Sequence, residues 1–156
     1  MKLSVVIPVL NEAAGIEAAL QALAPLRARG VEVIVADGGS SDNTLALARA
    51  LADQGVVAPR GRALQMNAGA AAARGDALLF LHADTRLPEN ADQLVLDGLR
   101  RRAWGRFDAR FDEGGLLRLV ALMMNLRSRL SGIARNGLRS KNKGFSPPLC
   151  KPFRTA

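Results

Sequence analysis

The chain has one cysteine, one histidine, one tryptophan and no tyrosine among 156 residues, and aromatics make up only 4% of it. A single cysteine excludes a disulfide framework and a cysteine-rich zinc module alike. No apolar run reaches the ~20 residues that a bilayer crossing requires, and Met1-Lys2-Leu3 is too brief an opening for a signal peptide. The expectation is a cytoplasmic soluble protein of one domain, large enough to bury about two-thirds of its unfolded surface.

Acid is scarce in one place only. All 14 Asp and Glu residues lie within 1–134, together with 16 of the 22 basic residues, while 135–156 holds six basic residues and no acid. The net charge of +8 therefore belongs mostly to the end of the chain. A near-neutral body argues against a nucleic-acid-binding module, whose charge would have to come from the tail alone. Three of the four lysines, three of the seven prolines and the cysteine also follow Arg135. That stretch shows no sustained period of 2.0 or 3.6 residues. Residues 1–134 are thus expected to form the domain and 135–156 an irregular basic tail. The tail reads either as a genuine extension or as the product of a shifted frame or truncation.

The body alternates strands and helices. Leu3 to Val9 is a short apolar run suited to a strand buried on both faces, with Pro8 tolerable at its end. Asn11 is placed to cap a helix, with Glu12 in its first turn. Ala13, Ile16, Ala19, Leu20, Leu23 and Leu26 mark one face of that helix, which ends near Gly30. Further strands are expected at 31–36, 56–58 and 77–82, and further helices at 42–54, 63–74 and from Pro88 to 102. This order implies right-handed crossovers and a mostly parallel α/β sheet with helices on both faces. Ligands of such sheets bind beyond the carboxyl ends of the strands. There the sequence places Pro8–Glu12, Asp37–Ser41 and His82–Thr85.

Each of these groups has a binding reading and a plainer one. Asp37-Gly38-Gly39-Ser40 offers a carboxylate to a ribose hydroxyl or base N–H beside two permissive glycines; the same residues build an Asx-turn and a helix cap without any ligand. It is neither a dinucleotide fingerprint nor a P-loop. Asp84, just past the most hydrophobic strand, suits Mg²⁺ or Mn²⁺ shared with phosphate oxygens, or else a turn. His82 is more simply a strand-end histidine bonded to backbone. Arg60 and Arg62, ahead of Gln65-Met66-Asn67, suit phosphate or are ordinary exposed arginines. Trp104, in Trp-Gly-Arg-Phe-Asp108, suits a sugar acceptor or a buried anchor. Leu116 to Leu130 reads as a core helix, broken by Arg118, Asn125, Arg127 and Arg129, with a peripheral membrane or partner face as the alternative.

Val6-Ile-Pro-Val-Leu-Asn-Glu12, Asp37-Gly-Gly-Ser-Ser-Asp-Asn-Thr44 and Phe80-Leu-His-Ala-Asp-Thr85, in this order and spacing, resemble the family 2 glycosyltransferases of the GT-A fold. The likeness covers about residues 1–134. It is closest to the bacterial arsenosugar-biosynthesis-like, or radical-SAM/selenodomain-associated, subgroup, where Gly-Arg-Ala-x-Gln-Met-Asn-Ala-Gly and Trp-Gly-Arg-Phe-Asp also occur. The resemblance implies a hexosyltransferase-type enzyme that moves a sugar, with inversion, from a nucleoside-diphosphate donor to an acceptor hydroxyl. It implies that Pro8, Asn11, Glu12, Asp37, Ser40, Arg62 and Asn67 line the donor site and that Asp84 holds Mg²⁺ or Mn²⁺ on the diphosphate, with His82 replacing the family's first acid. Trp104 and Asp108 fall on the acceptor side. The family's base is expected on an Asp soon after Ser131-Gly-Ile-Ala134. Arg135-Asn-Gly137 stands there instead, and no acid follows. A nucleotide- or sugar-binding protein without catalysis is therefore the alternative. A nucleotidyltransferase is disfavoured, because no glycine-rich, lysine-containing loop follows the first strand.

Overall fold

Apolar residues of the first strand alternate between two helical layers, and this alternation organises the molecule. The computed structural model describes residues 1–101, 104–105, 107 and 138–140. In chain order the elements are β1 (Leu3–Val9), α1 (Ile16–Ala22), α2 (Ala24–Ala28), β2 (Glu32–Asp37), α3 (Thr44–Leu51), β3 (Gln54–Val57), α4 (Arg62–Ala72), β4 (Ala77–Phe80), α5 (Ala91–Arg101), β5 (Trp104–Gly105) and β6 (Leu138–Ser140). They form one six-stranded sheet in the order β3-β2-β1-β4-β6-β5. β1, β2, β3 and β4 run parallel, whereas β6 is antiparallel to both β4 and β5.

Successive strand residues face opposite sides of a sheet. Leu3, Val5, Ile7 and Val9, with Val33, Val35 and Leu79, pack against Ile16, Leu20, Leu26, Ala48, Val95 and Leu99 of α1, α2, α3 and α5. Ile34 and Leu78, with Val56 and Phe80, pack on the other side against Ala70 and Ala73, at and just past the end of α4. The chain moves outward from β1 to β2 to β3, then returns to set β4 on the opposite flank of β1. The crevice between β1 and β4 is thus the topological switch point, where ligands of open α/β sheets bind.

Most expected elements stand within a few residues of their sequence positions, and three differ. The single helix expected up to Gly30 is two, broken at Leu23, because Pro25 in the first turn of α2 cannot donate to a continuing ladder. Asn11 does not cap α1, which starts at Ile16 after Gly15. Three residues of the expected irregular tail, Leu138–Ser140, form β6, a strand too short for periodicity to reveal. Asp108, the stretch 116–130 and Ser131–Ala134 lie outside the described residues. Among those described, no helix is long and apolar enough to cross a membrane.

One buried carboxylate ties the amino ends of the strands together. Glu32 accepts from Ser4 Oγ (2.5 Å), the Arg74 backbone N–H (2.9 Å) and Gln54 Nε2 (2.9 Å), and Ser4 Oγ accepts from Gly75 N–H (2.9 Å). Burial pushes its pKa up, but the three donors more than offset this and hold it below its ordinary value. A depressed folded pKa contributes stability that is present above the unfolded value and lost as pH falls through the folded one. Glu32→Gln is therefore expected to cost about 1–3 kcal/mol at neutral pH. Urea unfolding of both proteins between neutral and acid pH checks this, and the gap between them should narrow as pH falls.

Candidate functional site

β1 and β2 stop side by side, with Val9 in register with Asp37, and the loops that follow are laced together. Asn11 sits in the left-handed region (φ 53°), which its short polar side chain tolerates. Three successive amides then point at the second loop and the start of α3. Asn11 N–H donates to Ser40 Oγ (2.9 Å), Glu12 N–H to Thr44 Oγ1 (2.8 Å) and Ala13 N–H to Asp42 Oδ2 (3.2 Å). In return Asn11 Oδ1 accepts from Ser41 N–H at 2.8 Å.

Asp37 builds the second loop from within. Its carboxylate accepts from Gly39 N–H (3.3 Å), Ser40 N–H (3.0 Å) and the Ser40 hydroxyl, and the residue is only 2% exposed. Gly39 takes φ +85°, which a side chain would resist. This is the Asx-turn that the sequence offered as the plainer reading of Asp37. Asp42 starts α3 by accepting from Thr44 N–H (3.0 Å) and the Thr44 hydroxyl. Those bonds hold its carboxyl below the usual carboxylate range.

The third loop lies across β1. Leu81 N–H donates to Val6 O (2.9 Å), continuing the β1–β4 ladder, and a turn closed by Thr85 N–H on His82 O (3.1 Å) follows. Asp84 stands exposed on this turn, its carboxylate accepting from Thr85 Oγ1 at 3.3 Å. With ~4.8 Å between neighbouring strands, the ends of β2 and β4 lie about 10 Å apart across β1. No group of three or more potential metal-ligating side chains occurs among the described residues.

The sequence-derived set is thus partly assembled. Asn11, Glu12, Asp37 and Ser40 share one laced cluster, with half-buried Pro8 beneath it in β1, and Asp84 faces the same edge from the next loop. Arg62 is exposed at the start of α4, behind Gly61 at φ +134°. Asn67 is set apart. Five residues further along α4, ~7.5 Å down the axis, it lies on an exposed flank. Trp104 is on β5, two strands beyond β4, opposite Arg139.

Gln65 carries a task that its place in the sequence did not announce. Only 5% exposed, it donates through Nε2 to Val9 O (2.5 Å) and Ala36 O (3.1 Å), joining the ends of β1 and β2 from the α4 side. The available signal was a polar residue on the same helical face as Gly69, which packs on the sheet. A hollow of about 450 Å³ lies at the opposite, amino end of the strands, lined in part by Lys2, Arg29, Asp76 and Asp92. There Arg29 is already consumed by a two-pronged pair with Asp92 (both 2.9 Å) and by Glu89 O.

Residues 4–156 match the family model for Glycosyl transferase family 2. A PGL/p-HBAD biosynthesis glycosyltransferase of Mycobacterium bovis is 38% identical over 105 residues, which is 59% of this chain and 38% of that protein. The succinoglycan biosynthesis protein ExoA of Rhizobium meliloti is 49% identical over 51 residues, 32% of this chain and 16% of that one. The chain therefore spans about two-fifths or less of these curated relatives. Among solved structures, glucosyl-3-phosphoglycerate synthase from Mycobacterium tuberculosis with Mn²⁺, UDP and phosphoglyceric acid superposes with a TM-score of 0.64 at 27% identity, covering 90% of this chain and 56% of that one. The same enzyme with Mn²⁺, UDP-glucose and phosphoglyceric acid gives 0.66 at 23% identity, covering 90% and 57%. With the family match running through nearly the whole chain and a GT-A sheet beneath the three loops, this chain belongs to glycosyl transferase family 2.

Proposed function

We propose that the chain binds a nucleoside-diphosphate sugar above the carboxyl ends of β1, β2 and β4 and takes part in its inverting transfer to an acceptor hydroxyl. The observation that carries this reading is the meeting of three polar loops at the switch point of the sheet, in a member of a glycosyltransferase family. Pro8, Asn11 and Glu12 would flank the nucleoside together with the Asp37–Ser40 turn. Because Asp37 already accepts three hydrogen bonds, its part is chiefly to shape that turn. Arg62 brings positive charge and a helix start to the phosphate side, and Asn67 belongs at most to the periphery. The motifs at 61–69 and 104–108 favour the arsenosugar-biosynthesis-like subgroup, in which Trp104 and Asp108 would lie toward the acceptor.

One exposed carboxylate, engaged among the described residues only by Thr85, is the donor set expected for a hard divalent ion that arrives with phosphate oxygens and water. Asp84 would hold Mg²⁺ or Mn²⁺ in that way. When bound, the cation would neutralise charge on the departing diphosphate. The laced loops fix the donor so that the acceptor can approach in line. The base that takes the acceptor proton is not assigned to a residue of this chain.

Calorimetry with UDP and GDP, with and without Mn²⁺, tests the binding, and assays of donor hydrolysis and transfer test the chemistry. Metal-dependent binding of one nucleotide is the expected result; no binding of either overturns the reading. Arg135-Asn-Gly137, standing where the resemblance expects the family's Asp, favours a second reading, binding without transfer. Tight binding with no turnover on any donor would select it.

A further inference from the structure

We propose that Gln65 is a positioning residue for the donor nucleotide: its side-chain amide clamps the carbonyls at the ends of β1 and β2 and so sets the spacing of the two laced loops. This inference rests on the nucleotide reading above. The amide has two N–H groups, and Val9 O and Ala36 O take one each, at 2.5 and 3.1 Å. Carbonyl oxygens only accept, so the orientation of the amide is fixed by its partners. Val9 is the last residue of β1, and its carbonyl also accepts Gly38 N–H at 3.0 Å. One buried amide therefore meets the chain where the loop bearing Asn11 and Glu12 and the loop bearing Asp37 and Ser40 both leave the sheet.

Gly38 supplies independent support. Its backbone is not in the left-handed region, so conformation does not demand glycine there. Space does. A Cβ at Gly38 would stand 2.8 Å from Gln65 Nε2 and 2.9 Å from Cδ. Side chains at 38 and 65 compete for one volume, and the sequence resolves this by giving all of it to the amide. Gly38→Ala thus leaves Gln65 in the chain but pushes it off its carbonyls, whereas Gln65→Met keeps the volume and removes the donors. Neither residue is placed to react with the donor sugar, so both act through the loops.

The test measures UDP affinity in the presence of Mn²⁺, well below each melting temperature, for the full chain and for Gln65→Met, Gly38→Ala, Gln65→Ala and Gly38→Ala/Gln65→Ala. Gln65→Met and Gly38→Ala should each weaken UDP about five- to tenfold, the worth of one or two buried hydrogen bonds. Gly38→Ala should cost little more once residue 65 is Ala, because the clash is gone. A merely structural role would lower the melting temperatures and leave the affinity unchanged, and that result overturns the proposal, as does full additivity of the two alanine changes. Should Gln65→Met fail to fold, Gly38→Ala decides alone. A wild-type chain that binds neither UDP nor GDP overturns the nucleotide reading and this inference with it; wild-type binding with unaffected variants overturns this inference only.

Discussion

Asp84→Ala is expected to remove the Mn²⁺-dependent part of UDP affinity and, wherever transfer is measurable, to lower it by on the order of 100-fold or more. Among the described acids near the switch point, Asp84 and Glu12 are exposed with largely uncommitted carboxylates, and of the two Asp84 is the one on the loop that follows β4. Asp37 is buried under three donors, and Asp42 is occupied by Thr44 and Ala13. The change should leave folding untouched, since an exposed turn residue with one 3.3 Å contact carries little of the stability. Asp97→Ala, on exposed α5 surface, is the control for lost charge alone. Calorimetry of both variants with UDP, with and without Mn²⁺, checks the prediction. Equal metal enhancement in Asp84→Ala and wild type would refute the assignment.

Gly69→Val should destabilise the fold by about 3 kcal/mol, a large share of the 5–15 kcal/mol typical of a domain. Gly69 is where α4 touches β1. A Cβ there would overlap Val6 Cγ1, and Val6 is fully buried with a β-branched side chain that has few rotamers to retreat into. Val6→Ala should restore part of the loss, because it returns the volume that the new side chain needs. The substitution also reaches the candidate site. Gln65 lies one turn earlier on the same buried face of α4, so a helix lifted from β1 carries the amide away from Val9 and Ala36. Loss of UDP affinity should therefore accompany the loss in denaturant midpoint, and both should recover together in Val6→Ala/Gly69→Val.

The sheet was legible because its signals are local. The runs at Leu3–Val9 and Ala77–Phe80 are apolar without alternation, as strands covered on both faces must be, and the polar residues after them fall at one edge once the strands are parallel. What escaped reading depends on partners far along the chain. Gln65 meets Val9 and Ala36 across 56 and 29 residues, and no period links them. Asn11 looks like a helix cap by type, yet its side-chain Oδ1 accepts from Ser41 N–H, thirty residues on. Gly38 looked like a turn glycine, and nothing local singled out Gly69, whereas each is small because one particular neighbour fills the space. Asp37 shows how composition alone leaves two roles open, since an aspartate before two glycines suits a ribose and an Asx-turn equally.

The consecutive amides of Asn11, Glu12 and Ala13, each satisfied by a side chain of the neighbouring loop or of the first residue of α3, have a thermodynamic corollary. Segments already immobilised by their own bonds lose little further freedom when a guest arrives, so the entropic penalty of ordering them falls on folding rather than on association. Preorganisation of this kind favours modest structural adjustment between empty and occupied states on that side of the crevice.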